Sequence, residues 1–121
     1  MPRSVPLLAV MLAAGVTACA GPTVTLPPVA PEDVEVIPQG EEPEQEYREI
    51  APVRQQGTMD TPRTELVRLA REKAARLGAD ALMIEEYRLN TSYTNPTITL
   101  LALAVYYPAR HPELTDNPDS R

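Results

Sequence analysis

The segment that most constrains the fold is residues 61–78, TPRTELVRLAREKAARLG. Its apolar residues recur at three- and four-residue spacing, which is the periodicity of one face of an α-helix. They are Leu66, Leu69, Ala70, Ala74 and Leu77. Thr61 suits the N-cap, Pro62 the first helical position, and Gly78 the residue that ends the last turn. The pattern predicts one amphipathic helix, which must bury its apolar stripe against another element.

Three segments around this helix have the composition of β-strands. Residues 47–57 contain Pro52 in their middle, which suits an edge strand or a bulge. Residues 80–90 begin apolar and then alternate, in one continuous register or in one shifted by a bulge near Glu85–Glu86. Residues 97–108 end at a proline, and their apolar run is too short to span a bilayer as a helix. The sequence therefore predicts an α+β head of order β-α-β-β over residues 47–110, with one amphipathic helix on a three-stranded sheet and a polar tail at 111–121.

The last of these strands is apolar on both faces, although one helix covers only one face of a sheet. Two explanations are open. Either the preceding acidic segment folds back over the second face, or Leu101, Leu103 and Val105 contribute to an oligomeric or partner surface, as large exposed apolar patches do. We therefore expect self-association or an envelope partner at residues 98–107.

Residues 1–18 have the features of a secretory signal peptide. Arg3 is their only charge, an apolar stretch follows from Val5 to Ala14, and small residues come next. The apolar part is shorter than the roughly 20 residues that a membrane-spanning helix needs. The segment thus predicts export.

Val16-Thr17-Ala18-Cys19 resembles the lipobox of bacterial lipoproteins, in which an aliphatic residue and two small residues precede an invariant cysteine. The resemblance implies diacylglycerol on the Cys19 sulfur, cleavage after Ala18 and acylation of the new amino terminus. Several acyl chains together anchor a protein stably in a membrane. Ala20 and Gly21 follow the cysteine, and the lack of an aspartate there implies a periplasm-facing position in the outer membrane. No other cofactor and no metal are expected.

Residues 19–46 are predicted to form a disordered tether. Between Ala20 and Glu46 the chain has six prolines, seven acidic residues and no basic residue. Such a composition buries too little apolar surface to offset its ordering entropy, and it favours extended conformations. A brief extended contact at Val34 and at Val36–Ile37 is a further expectation, and cation binding or docking to a basic partner are alternatives to a plain linker.

The helix end and the next strand carry the motif Ala74-Ala75-x-x-Gly78-Ala79-Asp80-Ala81. It resembles a motif of small bacterial lipoproteins of unknown function, of the Rcs envelope-stress sensor lipoprotein and of the YbjQ-like domain. Alanines allow a helix to approach a sheet closely, glycine adopts the left-handed cap, and aspartate satisfies backbone donors in a tight turn. The resemblance thus implies a fold more than an activity.

Charge and motif content exclude several classes of function. The formal net charge of −6 disfavours nucleic acid, which requires a basic surface. A single cysteine excludes an internal disulfide framework and a cysteine-rich zinc site. No phosphate-binding or nucleophile motif is present. His111 is interpreted as a surface residue. Glu85 and Glu86 are expected on opposite sides of a strand, where they cannot readily form a catalytic pair. We therefore expect a non-catalytic interaction head, with an envelope-stress or assembly accessory as its role; the alternatives are a structural homo-oligomer and, less favoured, a small periplasmic hydrolase.

Overall fold

The computed structural model describes residues 24–92 and 94–115, which form a four-stranded sheet with one main helix. In chain order these elements are β1 (Glu35–Ile37), β2 (Arg48–Thr58), α1 (Arg63–Arg76), β3 (Ala81–Asn90) and β4 (Thr97–Tyr106). The strand order is β1-β3-β4-β2, with β1 parallel to β3 and the other two pairings antiparallel. The α+β class with one helix is confirmed. Nothing in the described ranges has the length and apolarity of a bilayer-spanning helix.

The helix α1 begins and ends close to the predicted positions. It starts at Arg63 after Pro62, whose carbonyl accepts the first backbone hydrogen bonds. The predicted cap is one residue off: Pro62 is the N-cap and not the first helical residue. The hydroxyl of Thr61 instead accepts a hydrogen bond from the backbone N–H of Thr58, at the end of β2. The predicted stop at Gly78 is confirmed: its φ of 77° is left-handed, and its N–H donates to the carbonyl of Ala75.

The sheet has two irregularities that the sequence indicated. Strand β2 lies at an edge and pairs only with β4, so Pro52 removes no hydrogen bond from a central ladder. In β3 the register shifts between Ile84 and Glu86, which makes Glu85 the extra residue of a bulge. Of the alternatives that the sequence left open, the structure has the edge position for Pro52 and the shifted register with a bulge for β3.

The main core lies between α1 and one face of the sheet. The helix contributes Leu66, Ala70 and Ala74, all fully buried. In β4 the even-numbered residues, from Ile98 to Tyr106, point toward this helix. The small helical residues let the helix approach the sheet closely, and burial of this cluster is the main favourable contribution to folding.

The sheet has one more strand than expected, because part of the predicted tether belongs to the domain. Residues 24–34, here called the strap, pack beside the C-terminal half of α1, with Leu26 and Val34 buried in the main core. The backbone N–H of Val29 donates to the carbonyl of Ala75, and Nε of Arg71 donates to the carbonyl of Val34 at 2.8 Å. The strap leads into β1, in line with the extended contact expected near Val36–Ile37. The prediction that the whole of 19–46 is a tether is therefore wrong for residues 24–37.

The second half of the predicted tether, residues 38–47 and here called the acidic connection, joins the two edges of the sheet. It must span the sheet because β1 and β2 lie at opposite edges. Ile37, just before it, and Tyr47, its last residue, pack with Val105 and Tyr107 on the face away from α1. Of the two explanations for an apolar β4, fold-back of the acidic segment accounts for the burial of Val105.

The chain after β4 is also part of the domain. A 3-10 turn spans Pro108–Arg110, a helical turn spans Pro112–Thr115, and Leu114 packs against the main core. The boundary between head and polar tail predicted at residue 110 is therefore wrong: the described domain runs from 24 to 115. Residues 116–121 lie outside the described residues.

Gly78 provides a test of the strap. A Cβ at this position would lie 2.5 Å from the carbonyl oxygen of Pro27 and 2.6 Å from Cβ of Leu26, and the left-handed φ adds strain. We expect Gly78→Ala to lower the free energy of unfolding by about 2–4 kcal/mol, measured by urea denaturation.

Gly40→Ala is the matched control for this substitution. Gly40 has a similar φ of 86°, but no heavy atom lies within 4 Å of the position that an alanine methyl group would take. Its substitution should therefore cost only the conformational strain, about 1–2 kcal/mol. Equal losses for both variants would contradict a close contact between Gly78 and the strap.

Candidate functional site

The structure gathers the six residues of the sequence motif at the junction between α1 and β3. Ala74 and Ala75 are buried on the last turns of the helix, and Gly78 and Ala79 form the tight link to the strand. Asp80 and Ala81 begin the strand side and are also buried. The lipobox residues Val16, Thr17, Ala18 and Cys19 lie outside the described residues, so lipidation stays a prediction.

Asp80 connects four parts of the fold. Its backbone N–H donates to the carbonyl of Val105, and its own carbonyl accepts from the N–H of Glu35. The side-chain Oδ2 accepts a hydrogen bond from the backbone N–H of Tyr107 at 2.8 Å. The motif thus satisfies a backbone donor as predicted, but the donor lies at the end of β4 and not in the local turn.

The same carboxylate holds the C-terminal turn. Nε2 of His111 lies 2.8 Å from Oδ2 of Asp80, and Nη1 of Arg110 lies 3.6 Å from Oδ1. The His111 side chain is only 19% exposed, and its ring meets that of Tyr106 edge-on at 5.8 Å. The interpretation of His111 as a surface residue is therefore wrong, because the carboxylate of Asp80 draws the imidazole against the domain.

Tyr107 forms a second long-range link beside this cluster. Its hydroxyl donates to Oε1 of Glu35 at 2.8 Å, and the guanidinium of Arg110 lies 5.0 Å from the centre of its ring. Burial of the phenol, with a smaller effect from the neighbouring Glu35 carboxylate, raises the pKa of Tyr107 to about 12. The hydroxyl is therefore protonated at neutral pH and acts as a donor.

Beside Tyr107 lies a cleft of about 300 Å³ between β1 and the acidic connection. We call it the acidic cleft, because its lining includes four carboxylates and no basic residue. The lining residues are Glu35, Val36, Ile37, Pro38, Glu41, Glu42, Pro43, Glu44, Gln45 and Tyr107. Like-signed side chains around a concave surface focus a negative potential, which favours cationic groups over anionic ones.

The carboxylates considered as catalytic candidates do not meet in this cleft. Glu85 is the exposed bulge residue, and Glu86 accepts a hydrogen bond from Nε of Arg88 at 2.6 Å. The pair formed by Asp80 and His111 has its other ring nitrogen, Nδ1, 3.8 Å from Glu113. Across residues 24–92 and 94–115, no group of three or more His, Cys, Asp or Glu side chains is arranged to hold a metal ion. The contacts that the structure shows for Asp80 and His111 are ones that hold the fold together.

Glu35 and the role of His111 were not predicted from the sequence. In each of these contacts the two partners are far from each other in the chain. Glu35 and Tyr107 are 72 positions apart, and Asp80 and His111 are 31 positions apart. The one signal in the sequence is that a carboxylate in a tight helix-to-strand turn, once buried, needs donors somewhere in the fold.

Replacement of Asp80 tests its connecting role. Asp80→Ala leaves the buried N–H of Tyr107 without its acceptor and removes the partner of His111, so we expect a loss of about 2–4 kcal/mol in the free energy of unfolding. Asp60→Ala, at an exposed position before α1, should change it by less than about 0.5 kcal/mol. Urea denaturation of both variants measures the difference, and a loss below about 1 kcal/mol for Asp80→Ala would contradict the role.

The raised pKa of Tyr107 predicts a loss of stability at alkaline pH. The unfolded phenol titrates near 10 and the folded one at about 12, so the unfolded state binds fewer protons between these values. The contribution of the protonated Tyr107 hydroxyl to the free energy of unfolding is complete below about pH 10. It is lost as pH rises toward 12, and the loss is at most about 3 kcal/mol.

Tyr107→Phe should remove this part of the pH dependence, while Tyr106→Phe, at the adjacent buried ring, should keep it. The measurement is the free energy of unfolding from pH 8 to 11.5. A wild-type profile that matches that of Tyr107→Phe over this range would show that the pKa is not raised.

Comparison with known proteins gives one similarity of fold. No protein-family model matches the chain, and no curated protein sequence is similar to it. Among solved structures, the fold is similar to that in a crystal structure of FvfA, a Francisella virulence factor, with a TM-score of 0.53 and 19% sequence identity. The similarity covers 68% of this chain and 87% of that chain. At this level of identity the likeness shows the fold alone.

Proposed function

We propose that the chain is a lipid-anchored protein of the bacterial envelope, fixed to the membrane through Cys19, with a non-catalytic domain that contacts other envelope components. The observation that carries the proposal is the position of the domain directly after the lipobox. The described fold begins at Val24, and its first core residue is Leu26. Cleavage before Cys19 would therefore leave the whole domain intact and its amino terminus acylated.

The polar groups of the domain support a binding role over a catalytic one. The carboxylate of Asp80 and the imidazole of His111 hydrogen-bond each other, and the hydroxyl of Tyr107 hydrogen-bonds Glu35. These contacts join β1, the end of β4 and the C-terminal turn. The acidic cleft gives the surface a negative region, which suits a basic envelope partner.

The outer membrane is the proposed location, with the domain in the periplasm. The support is the pair Ala20–Gly21 after Cys19, which lacks the aspartate that retains enterobacterial lipoproteins at the inner membrane. The resemblance of residues 74–84 to the Rcs and YbjQ-like proteins stays a hypothesis about relatedness.

A structural homo-oligomer is the second candidate, and the structure limits how it would form. Strand β4 pairs with β3 on one side and β2 on the other, so its backbone has no free edge. Only the side chains on the face away from α1 remain, where Leu101 and Leu103 are partly exposed. Self-association through residues 98–107 would therefore rest on these two side chains.

The mass of the membrane-extracted protein tests the anchor. We expect wild-type protein to begin at Cys19 and to carry the added mass of acyl chains. Cys19→Ala should accumulate as an unprocessed and unlipidated precursor, because no thiol is present to accept the lipid. Intact mass spectrometry measures both forms, and an unmodified mature chain released from the membrane in both cases would refute lipidation.

A further inference from the structure

The strap sets a limit on the distance between the domain and the membrane. Only residues 19–23 separate the predicted lipid site from Val24, where the described fold begins. Five residues reach at most about 18 Å even when fully extended. The expected tether of 19–46, by contrast, would have held the domain several times farther away.

The position of the strap decides which end of the domain this limit applies to. Leu26 and Pro27 contact Gly78, and Val29 hydrogen-bonds Ala75, so the strap begins at the C-terminal end of α1. Exposed residues of the strap and of α1 at this end include Pro27, Pro28, Val29 and Arg76. We call them the proximal surface.

The opposite end of the domain carries more exposed apolar side chains. Leu89 is 56% exposed and Met59 is 47% exposed, against 36% for Val29. Leu89 lies eight residues beyond Ala81 along β3, which is about 26 Å at 3.3 Å per residue. Hydrophobicity alone would therefore turn the distal end toward lipid, whereas the short anchor favours the proximal end.

We propose that the proximal surface rests against the phospholipid headgroups of the bilayer that holds Cys19. This inference builds on the proposed lipid anchor. Pro27, Pro28 and Val29 give an apolar contact, and the guanidinium of Arg76 pairs with lipid phosphates. The acidic cleft lies across the sheet from α1, beside Tyr107, so its carboxylates are on a different face and stay available to a partner close to the membrane.

The chain offers a direct test because it has no tryptophan and a single cysteine. The mature chain 19–121, which contains every residue of the described domain, is coupled through the Cys19 thiol to a maleimide phospholipid in vesicles that also contain a dansyl headgroup lipid. Val29→Trp then reports the proximal surface and Leu89→Trp the distal end. Pro28→Trp and Met59→Trp are second reporters, for use if either first variant has a lowered urea midpoint.

We expect energy transfer to the dansyl lipid to be at least about threefold more efficient from Trp at 29 than from Trp at 89, because transfer falls steeply with distance. A flexible Gly/Ser insert of about 20 residues between Gly21 and Pro22 should lower the efficiency at position 29, since the domain is then released from the surface. Equal efficiencies at the two positions, a higher value at 89, or no effect of the insert would overturn the proposal.

The chemical coupling separates this result from the proposed anchor. An unlipidated protein in cells would refute the function proposed above and leave the vesicle result unchanged. A lipidated protein with equal transfer from both reporters would keep the anchor and refute the orientation.

Discussion

The fold depends on one buried carboxylate. Asp80 receives the N–H of Tyr107 and faces the imidazole of His111, while its backbone groups bind β4 and β1. A buried carboxylate is unfavourable unless donors surround it, so the end of β4 and the C-terminal turn are held where they satisfy it. Strand β1, the end of β4 and the C-terminal turn are therefore all held by contacts with Asp80, in the junction between α1 and β3.

Small side chains at the same junction allow the strap to pack against the end of α1. The strap hydrogen-bonds Ala75 near the end of α1 and lies directly against Gly78, two residues after the helix ends. A larger residue at position 78 would displace the strap, and with it the approach to β1. The motif at residues 74–81 therefore holds the strap at the beginning of the described domain and the C-terminal turn at its end. These contacts fix the position of the strap relative to the acidic cleft.

Most of the regular structure could be predicted from the sequence, because local patterns specify it. The helix and its stop at Gly78 depend on neighbouring residues only, whereas the edge position of Pro52 and the bulge near Glu85 were among alternatives that pairing with β4 decided. An extended contact near residues 36–37 was expected, but its parallel pairing with β3 could not be predicted, since a three-residue strand between prolines and acidic residues has no periodicity of its own. It forms because β3 has a free edge and the main core accepts Val34. Of the candidate site, the motif around Asp80 is visible in the sequence, whereas its partners are not.

The sequence by itself determined the α+β class, the amphipathic helix, the composition of the acidic segment and the location of the predicted lipid site. Only the tertiary structure decided that the acidic segment is part of the domain, that His111 is packed against Asp80, and that Glu35 pairs with Tyr107. The physical reason is the range of the interactions. Periodicity and turn chemistry act over a few residues, but a buried carboxylate or phenol takes its partner from any part of the chain that the fold brings within hydrogen-bond distance.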